Sequence, residues 1–217
     1  MDECFEYFLE NFGPQLHSVQ PSTTDIKKFR GKLPDKLLEY WQDHGWGGFS
    51  DGLFWLVNPS DYTEIVDVWL DNTKVEDHQN YFAIARTAFG RLFLWNKLTG
   101  QTATISPLYA QVITTPPNRS VLAGDESSAV EAFLATKDPE ALDIEDEKDK
   151  KLFKRALKKL GPVKADEMYG FEPALVIGGI PKLENLVKVK LIEHLILLHD
   201  FGDVEILHMD VSRHTKN

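Results

Sequence analysis

Apolar residues recur along the first 70 positions at intervals of three and four, the spacing that lines one face of a helix. Phe5, Phe8, Leu9 and Phe12 form such a stripe ahead of Gly13-Pro14, which predicts an amphipathic helix closed by a glycine and a proline. A short helix is expected after Thr24. A third is expected with Pro34 at its first position, Leu37, Leu38 and Trp41 on its apolar face, and Gly45 as its left-handed cap. Asn58-Pro59 predicts a fourth start, with Asn58 as cap and Tyr62, Ile65, Val66 and Trp69 along one side. Ahead of it, Gly47 to Gly52 reads as a turn before an aromatic and aliphatic strand, Leu53 to Val57. Three strands follow, Tyr81 to Ala88, Arg91 to Asn96 and Gln101 to Ile105, joined by turns short enough for antiparallel hairpins. A further strand around Gln111 to Thr114 precedes Pro116-Pro117.

Ser127 or Ser128 can cap a helix carrying Val130, Phe133 and Leu134. The stretch Asp138 to Asp149 then gathers Asp138, Glu140, Asp143, Glu145, Asp146, Glu147 and Asp149 around Pro139. Such a solvated run suits a domain junction, placed near residue 140, so that residues 1–140 and 141–217 form two domains. Leu152, Phe153, Ala156, Leu157 and Leu160 predict a helix ended by Gly161-Pro162, with Lys154, Arg155, Lys158 and Lys159 matching its macrodipole. Ala174 to Ile180 predicts a buried strand and tight turn, Leu183 to His199 a helix, and Val204 to Met209 a last strand. The expected fold class is α+β: an N-terminal antiparallel sheet flanked by helices, then a smaller, helix-rich C-terminal domain.

Composition narrows the functions available. Hydrophobic residues at 42% and aromatics at 11% supply packed cores and exclude a disordered chain. Acidic residues outnumber basic ones by 34 to 24, and the net charge of -10 repels nucleic acid and favours basic partners. Cys4 is the single cysteine, which excludes an internal disulfide or a cysteine-rich zinc site. The opening Met1-Asp2-Glu3-Cys4-Phe5 has neither the positive charge nor the apolar core of a secretory signal, and no apolar run approaches the roughly 20 residues of a membrane span. A cytoplasmic protein without membrane attachment is expected.

Constellations that could carry chemistry are sparse. His194, His199, His208 and His214 crowd the C-terminal quarter. A separation of five residues, however, turns His194 and His199 about 140° apart on a helix, which does not make a metal pair. Cys4 has no nearby base, and Gly45 to Gly48 and Gly178-Gly179 lack the flanking pattern of a phosphate loop. Asp166, Glu167 and Glu172 are close enough in sequence for acid-base work but show no opposed environments. The basic residues between Lys148 and Lys159 share their helix with an apolar stripe and read as a solvated face. The acids from Asp138 to Asp149 are either a linker or a docking surface for a basic protein. No catalytic residue, metal or cofactor is assigned.

Two blocks of text carry a family resemblance. Trp41 to Gly45, Asp51-Gly52-Leu53-Phe54-Trp55-Leu56-Val57-Asn58-Pro59 with Tyr62 and Trp69, and Arg86-Thr87-Ala88-Phe89-Gly90 resemble the GAD-like domain. The continuous stretch from Ala156 to Leu175, including Met168-Tyr169-Gly170-Phe171-Glu172-Pro173, resembles the C-terminal domain of Tdi-type immunity proteins. The order of the two blocks matches as well, and together they cover nearly the whole chain. The resemblance implies a type VI secretion system immunity protein, a stoichiometric inhibitor of a DNase effector with no turnover of its own.

A nuclease binds a polyanion, so its substrate cleft is basic, and an acidic protein suits it. Carboxylates then steer the encounter while buried apolar anchors hold the complex. The segment Asp166, Glu167, Met168, Tyr169, Phe171 and Glu172 combines acids and aromatics between glycine and proline, the composition of an interface. The same large side chains could instead pack a second core. Asp143, Glu145, Asp146 and Glu147 are the secondary steering candidates. Two other classes stay open: a small hydrolase using Asp166 and Glu172, which predicts turnover, and a regulatory ligand-binding module with no toxin gene beside it.

Overall fold

Asp2 opens the fold by accepting the Phe5 N–H at 2.9 Å, capping helix α1 (Glu3–Phe12), whose Phe5, Phe8 and Phe12 are buried. The computed structural model describes residues 2–71 and 73–209. Strand β1 (Leu16–Val19) leads to α2 (Thr23–Phe29), where Ser22 and Asp25 form a reciprocal capping box. Helix α3 (Asp35–His44) starts one residue after the proline expected inside it and is closed by Gly45 at φ 78°. Strands β2 (Trp46–Phe49) and β3 (Phe54–Leu56) follow. The expected turn at Gly47-Gly48 is itself a strand, because those glycines let the Trp55 ring and Gln15 approach closer than any Cβ allows. A short 3-10 turn at Pro59–Tyr62, capped by Asn58, feeds α4 (Thr63–Leu70).

Strands β4 (Tyr81–Thr87), β5 (Leu92–Asn96), β6 (Gly100–Ser106) and β7 (Gln111–Thr114) come next, close to their expected bounds. Helices α5 (Arg119–Leu122), α6 (Glu126–Ala135), α7 (Pro139–Leu142) and α8 (Phe153–Leu160) follow. Asp125 caps α6 by accepting the Ser128 N–H at 3.0 Å, in place of the serines expected there. The rest of the described chain is β8 (Glu167–Phe171), β9 (Leu186–Lys190), α9 (Leu191–Asp200) and β10 (Glu205–His208).

Eight strands form one sheet in the order β1-β2-β3-β4-β5-β6-β7-β10. Every neighbouring pair is antiparallel except β7 and β10, which run parallel with Val112 opposite Ile206. Phe54 and Phe93 point to the face covered by α1 and α6, where Phe54 meets Phe8 and Phe93 meets Phe133. Alternation along the strands turns Trp55 and Arg86 to the other face. A separate hairpin pairs β8 with β9.

Two expected elements are corrected. Ala174 to Ile180 is a 3-10 turn at Leu175–Ile177 with Ile177 and Ile180 exposed, because Gly178 takes φ 91° and no strand among the described residues pairs with it. The helix expected from Leu183 to His199 begins only at Leu191; the alternating Leu186-Val187-Lys188-Val189-Lys190 pairs with β8 instead. Residue 140 falls in α7, and one apolar core runs from Phe5 to Leu198 through both halves of the chain. Tyr169 N donates to Ala88 O at 2.8 Å and Trp69 Nε1 to Leu195 O at 3.1 Å across those halves.

Candidate functional site

The acidic stretch is folded back on itself. Asp143 accepts the backbone N–H groups of Ile144 and Phe153, at 2.7 and 2.9 Å, and so caps the start of α8. Burial raises its pKa against the pull of those donors. Asp146 is buried and takes Arg155 at 2.5 Å with the N–H groups of Lys148 and Lys150, so its carboxyl is held at about 2, chiefly by Arg155. Glu145 pairs with Lys151 at 3.0 Å and Glu147 with Lys182 at 3.9 Å, both at the surface. Asp143 and Asp146 therefore shape the loop, while Glu145 and Glu147 face solvent.

The second group of candidates divides in the same way. Asp166 is exposed and paired with Lys190, which lowers its pKa, and Glu172 is exposed ahead of Pro173. Glu167 is half-buried, accepting the Lys164 N–H at 3.0 Å and facing Lys188 at 3.8 Å. Met168, Tyr169 and Phe171 are not at the surface, which corrects the expectation of aromatic anchors there. Strand β8 lies between α8, α9 and the end of β4, so both its faces are covered. Tyr169 packs on Phe89 and Phe153 and donates to Gly161 O at 2.6 Å, and Met168 lies against Gly90. Exposed apolar side chains in the C-terminal part of the chain include Ile177, Ile180, Leu197 and Phe201.

Sequence reading missed a cleft of about 190 Å³ on the Arg86 face of the sheet. Trp46, Trp55, Leu56, Val57 and Tyr62 wall it, His17, Asn58 and Asp61 stand at its rim, and Arg86 lines its floor. Arg86 is fully buried in β4 and its guanidinium stacks 4.7 Å from the Trp55 ring. Nη1 donates to Thr87 O at 3.2 Å, and Nη2 to Lys164 O and Ala165 O, both at 3.0 Å. Nε has no partner. Burial pushes the guanidinium pKa down, opposed by the Tyr62 hydroxyl beside it and by Asp166 at longer range. Among the described residues no carboxylate forms an ion pair with it. An arginine in the otherwise apolar Ala83-Ile84-Ala85-Arg86 was the available signal.

Among the described residues no group of histidine, cysteine and acidic side chains could hold a metal ion, and His214 lies outside them. His194 is buried and His199 packs edge-on against Trp69. No helix of the described residues is long and apolar enough to cross a membrane.

Comparison with known families and structures agrees with this architecture. The GAD-like domain model matches residues 3–109, and the model described as T6SS immunity protein Tdi1, C-terminal, matches residues 127–202. No curated protein matches. The crystal structure of Atu4351 from Agrobacterium tumefaciens superposes with a TM-score of 0.86 at 24% identity, covering 98% of this chain and 95% of that one, which establishes a shared fold. With a GAD-like domain followed by the Tdi1-type C-terminal domain, the chain belongs to the Tdi-type family of type VI secretion system immunity proteins.

Proposed function

We propose that this immunity protein is a non-catalytic inhibitor that binds a cognate DNase effector in the cytoplasm and blocks it stoichiometrically. The observation that carries this reading is a Tdi1-type C-terminal domain in a chain of net charge -10. A nuclease cleft that grips phosphates is basic, and an acidic surface competes for it. Glu145, Glu147, Asp166 and Glu172 are the carboxylates of the earlier candidates that reach solvent. The lysine partners of Glu145, Glu147 and Asp166 do not disqualify them, since exposed ion pairs contribute only about 0–1 kcal/mol and exchange readily for a partner's cations. Anchoring falls to Ile177 and Ile180, which follow Glu172 in an exposed loop. Gly202, at the end of α9, lies against Val176, which brings Phe201 to the same neighbourhood.

The test is co-expression with the nuclease-like product of the adjacent gene. A complex that co-purifies at one-to-one stoichiometry and stops plasmid degradation is expected. Absence of both sinks the reading. Turnover of a small ester or amide by the isolated chain, lost on Asp166→Asn, would favour a hydrolase instead.

A further inference from the structure

We propose that the Arg86 cleft is a binding site for a small monoanionic carboxylate with a flat apolar body. The proposal is independent of the effector reading and rests on the charge placed at the cleft floor. A buried guanidinium without a counter-ion costs several kcal/mol, and folded proteins compensate such charges by pairing or ligation. The carbonyls of Thr87, Lys164 and Ala165 satisfy three of its five N–H groups and the Tyr62 hydroxyl lies beside it, but these neutral groups leave its charge unneutralised. Nε remains without a partner, and so does the indole Nε1 of Trp46 in the same cleft. Trp41 and Trp95 share that condition inside the closed core, so the orphan indole alone says little. Its meeting with a buried cation that lacks a counter-ion, both lining one cleft, is what distinguishes this place.

The walls define the rest of the ligand. Trp46, Trp55 and Tyr62 present ring surface, and Leu56 and Val57 add aliphatic surface, all of which favour an apolar body. A volume of about 190 Å³ suits a single aromatic ring, since cavities of about 150 Å³ take up benzene. One cation, with Asp61 at the rim and a net charge of -10 around it, selects a monoanion over a phosphate dianion. Four of the wall residues and Arg86 are among the residues that carry the GAD-like resemblance, in Asp51 to Pro59 with Tyr62 and in Arg86 to Gly90.

The full chain is titrated with benzoate while intrinsic tryptophan fluorescence and thermal unfolding are followed. Saturable binding with a Kd at or below about 1 mM and a matching rise in Tm are expected, with benzamide at least about tenfold weaker. Trp46→Phe removes the indole donor and keeps the ring, so it weakens benzoate several-fold. Asp61→Asn removes the repelling charge and tightens it about two- to threefold. Arg86→Gln abolishes binding where it folds; the other two variants carry the test where it does not. A short peptide with a single glutamate, used as competitor, distinguishes the sources. If it displaces benzoate at lower concentration, the carboxylate arrives on a polypeptide; otherwise it is a free molecule. Failure of benzoate to saturate, equal binding of benzamide, or unchanged affinity in both Trp46→Phe and Asp61→Asn overturns the proposal.

Discussion

His194 lays its imidazole over Gly170, where a Cβ on residue 170 would meet Nε2 at 2.6 Å, and that nitrogen has no hydrogen-bond partner. Burial lowers its pKa, with Glu172 pulling weakly the other way. His44, stacked on Phe5 at 4.2 Å, is lowered for the same first reason. A base whose pKa is lower folded than unfolded binds fewer protons in the native state, so stability is full above the ordinary value of 6.5 and falls as pH drops through it. Asp2 and Asp146, both held near 2, lose their contribution only below 3.8, so the two windows separate. Urea titrations at pH 7 and pH 5 should therefore show a loss of stability, and His194→Gln should flatten part of it. An unchanged slope in that variant assigns the effect elsewhere. At this scale the sequence shows which side chains are acidic or aromatic, and Asp166 and Glu172 are indeed exposed. It does not show what covers them. Tyr169 and Phe171 read as a loop between glycine and proline because their cover comes from β4, α8 and α9, distant in the chain.

Asp2 shows how one residue fixes the arrangement of several elements. Its carboxylate caps α1 at Phe5 N, accepts the Tyr40 hydroxyl at 2.7 Å, and meets Lys36 of α3 at 2.8 Å, while Lys36 reaches Glu131 of α6 at 3.4 Å. Burial pushes the Asp2 carboxyl up, but these donors together hold it at about 2. Asp2→Ala should cost about 1–2 kcal/mol in chemical denaturation, while Asp2→Asn, which keeps a capping oxygen, costs less. Equal losses for both would mean that the cap contributes nothing. Helices α1, α3 and α4 and strands β4 to β7 were legible because each carries one clear period and strong punctuation, such as Gly13-Pro14 or Asn58-Pro59. The region after Gly161 was harder. From Leu183 to Leu198 apolar residues are so dense that a helical stripe can be drawn through the period-two text of β9. The apolar run at Ala174 looked like a strand, yet the Gly179 backbone sits so close to Pro173 O that a Cβ there would lie at 2.0 Å. Pairing over long sequence distances, as of β10 with β7, leaves no local signal.

At the scale of the whole molecule, the parallel β7–β10 pair and the common core hold the Tdi1-type half against the GAD-like sheet, so its exposed loops are presented from a fixed frame. On the proposed function, two exposed segments would meet a basic partner: residues 143–151 with Glu145 and Glu147, and the two ends of β8 with the turn after it, which carry Asp166, Glu172, Ile177 and Ile180. Steering and anchoring act on different rate constants. Charge acts over about a Debye length, roughly 8 Å at physiological salt, and so sets the encounter rate, whereas apolar burial sets the lifetime of the complex. In stopped-flow mixing with the cognate effector, replacing Glu145, Glu147, Asp166 and Glu172 together by their amides should slow association about tenfold at low salt. The wild-type and variant rates should converge as salt rises. Ile177→Ser with Ile180→Ser should leave association unchanged and speed dissociation. Association of the wild-type chain that ignores salt would remove the acidic surface from the mechanism. It would leave the apolar loop as the whole of the docking site.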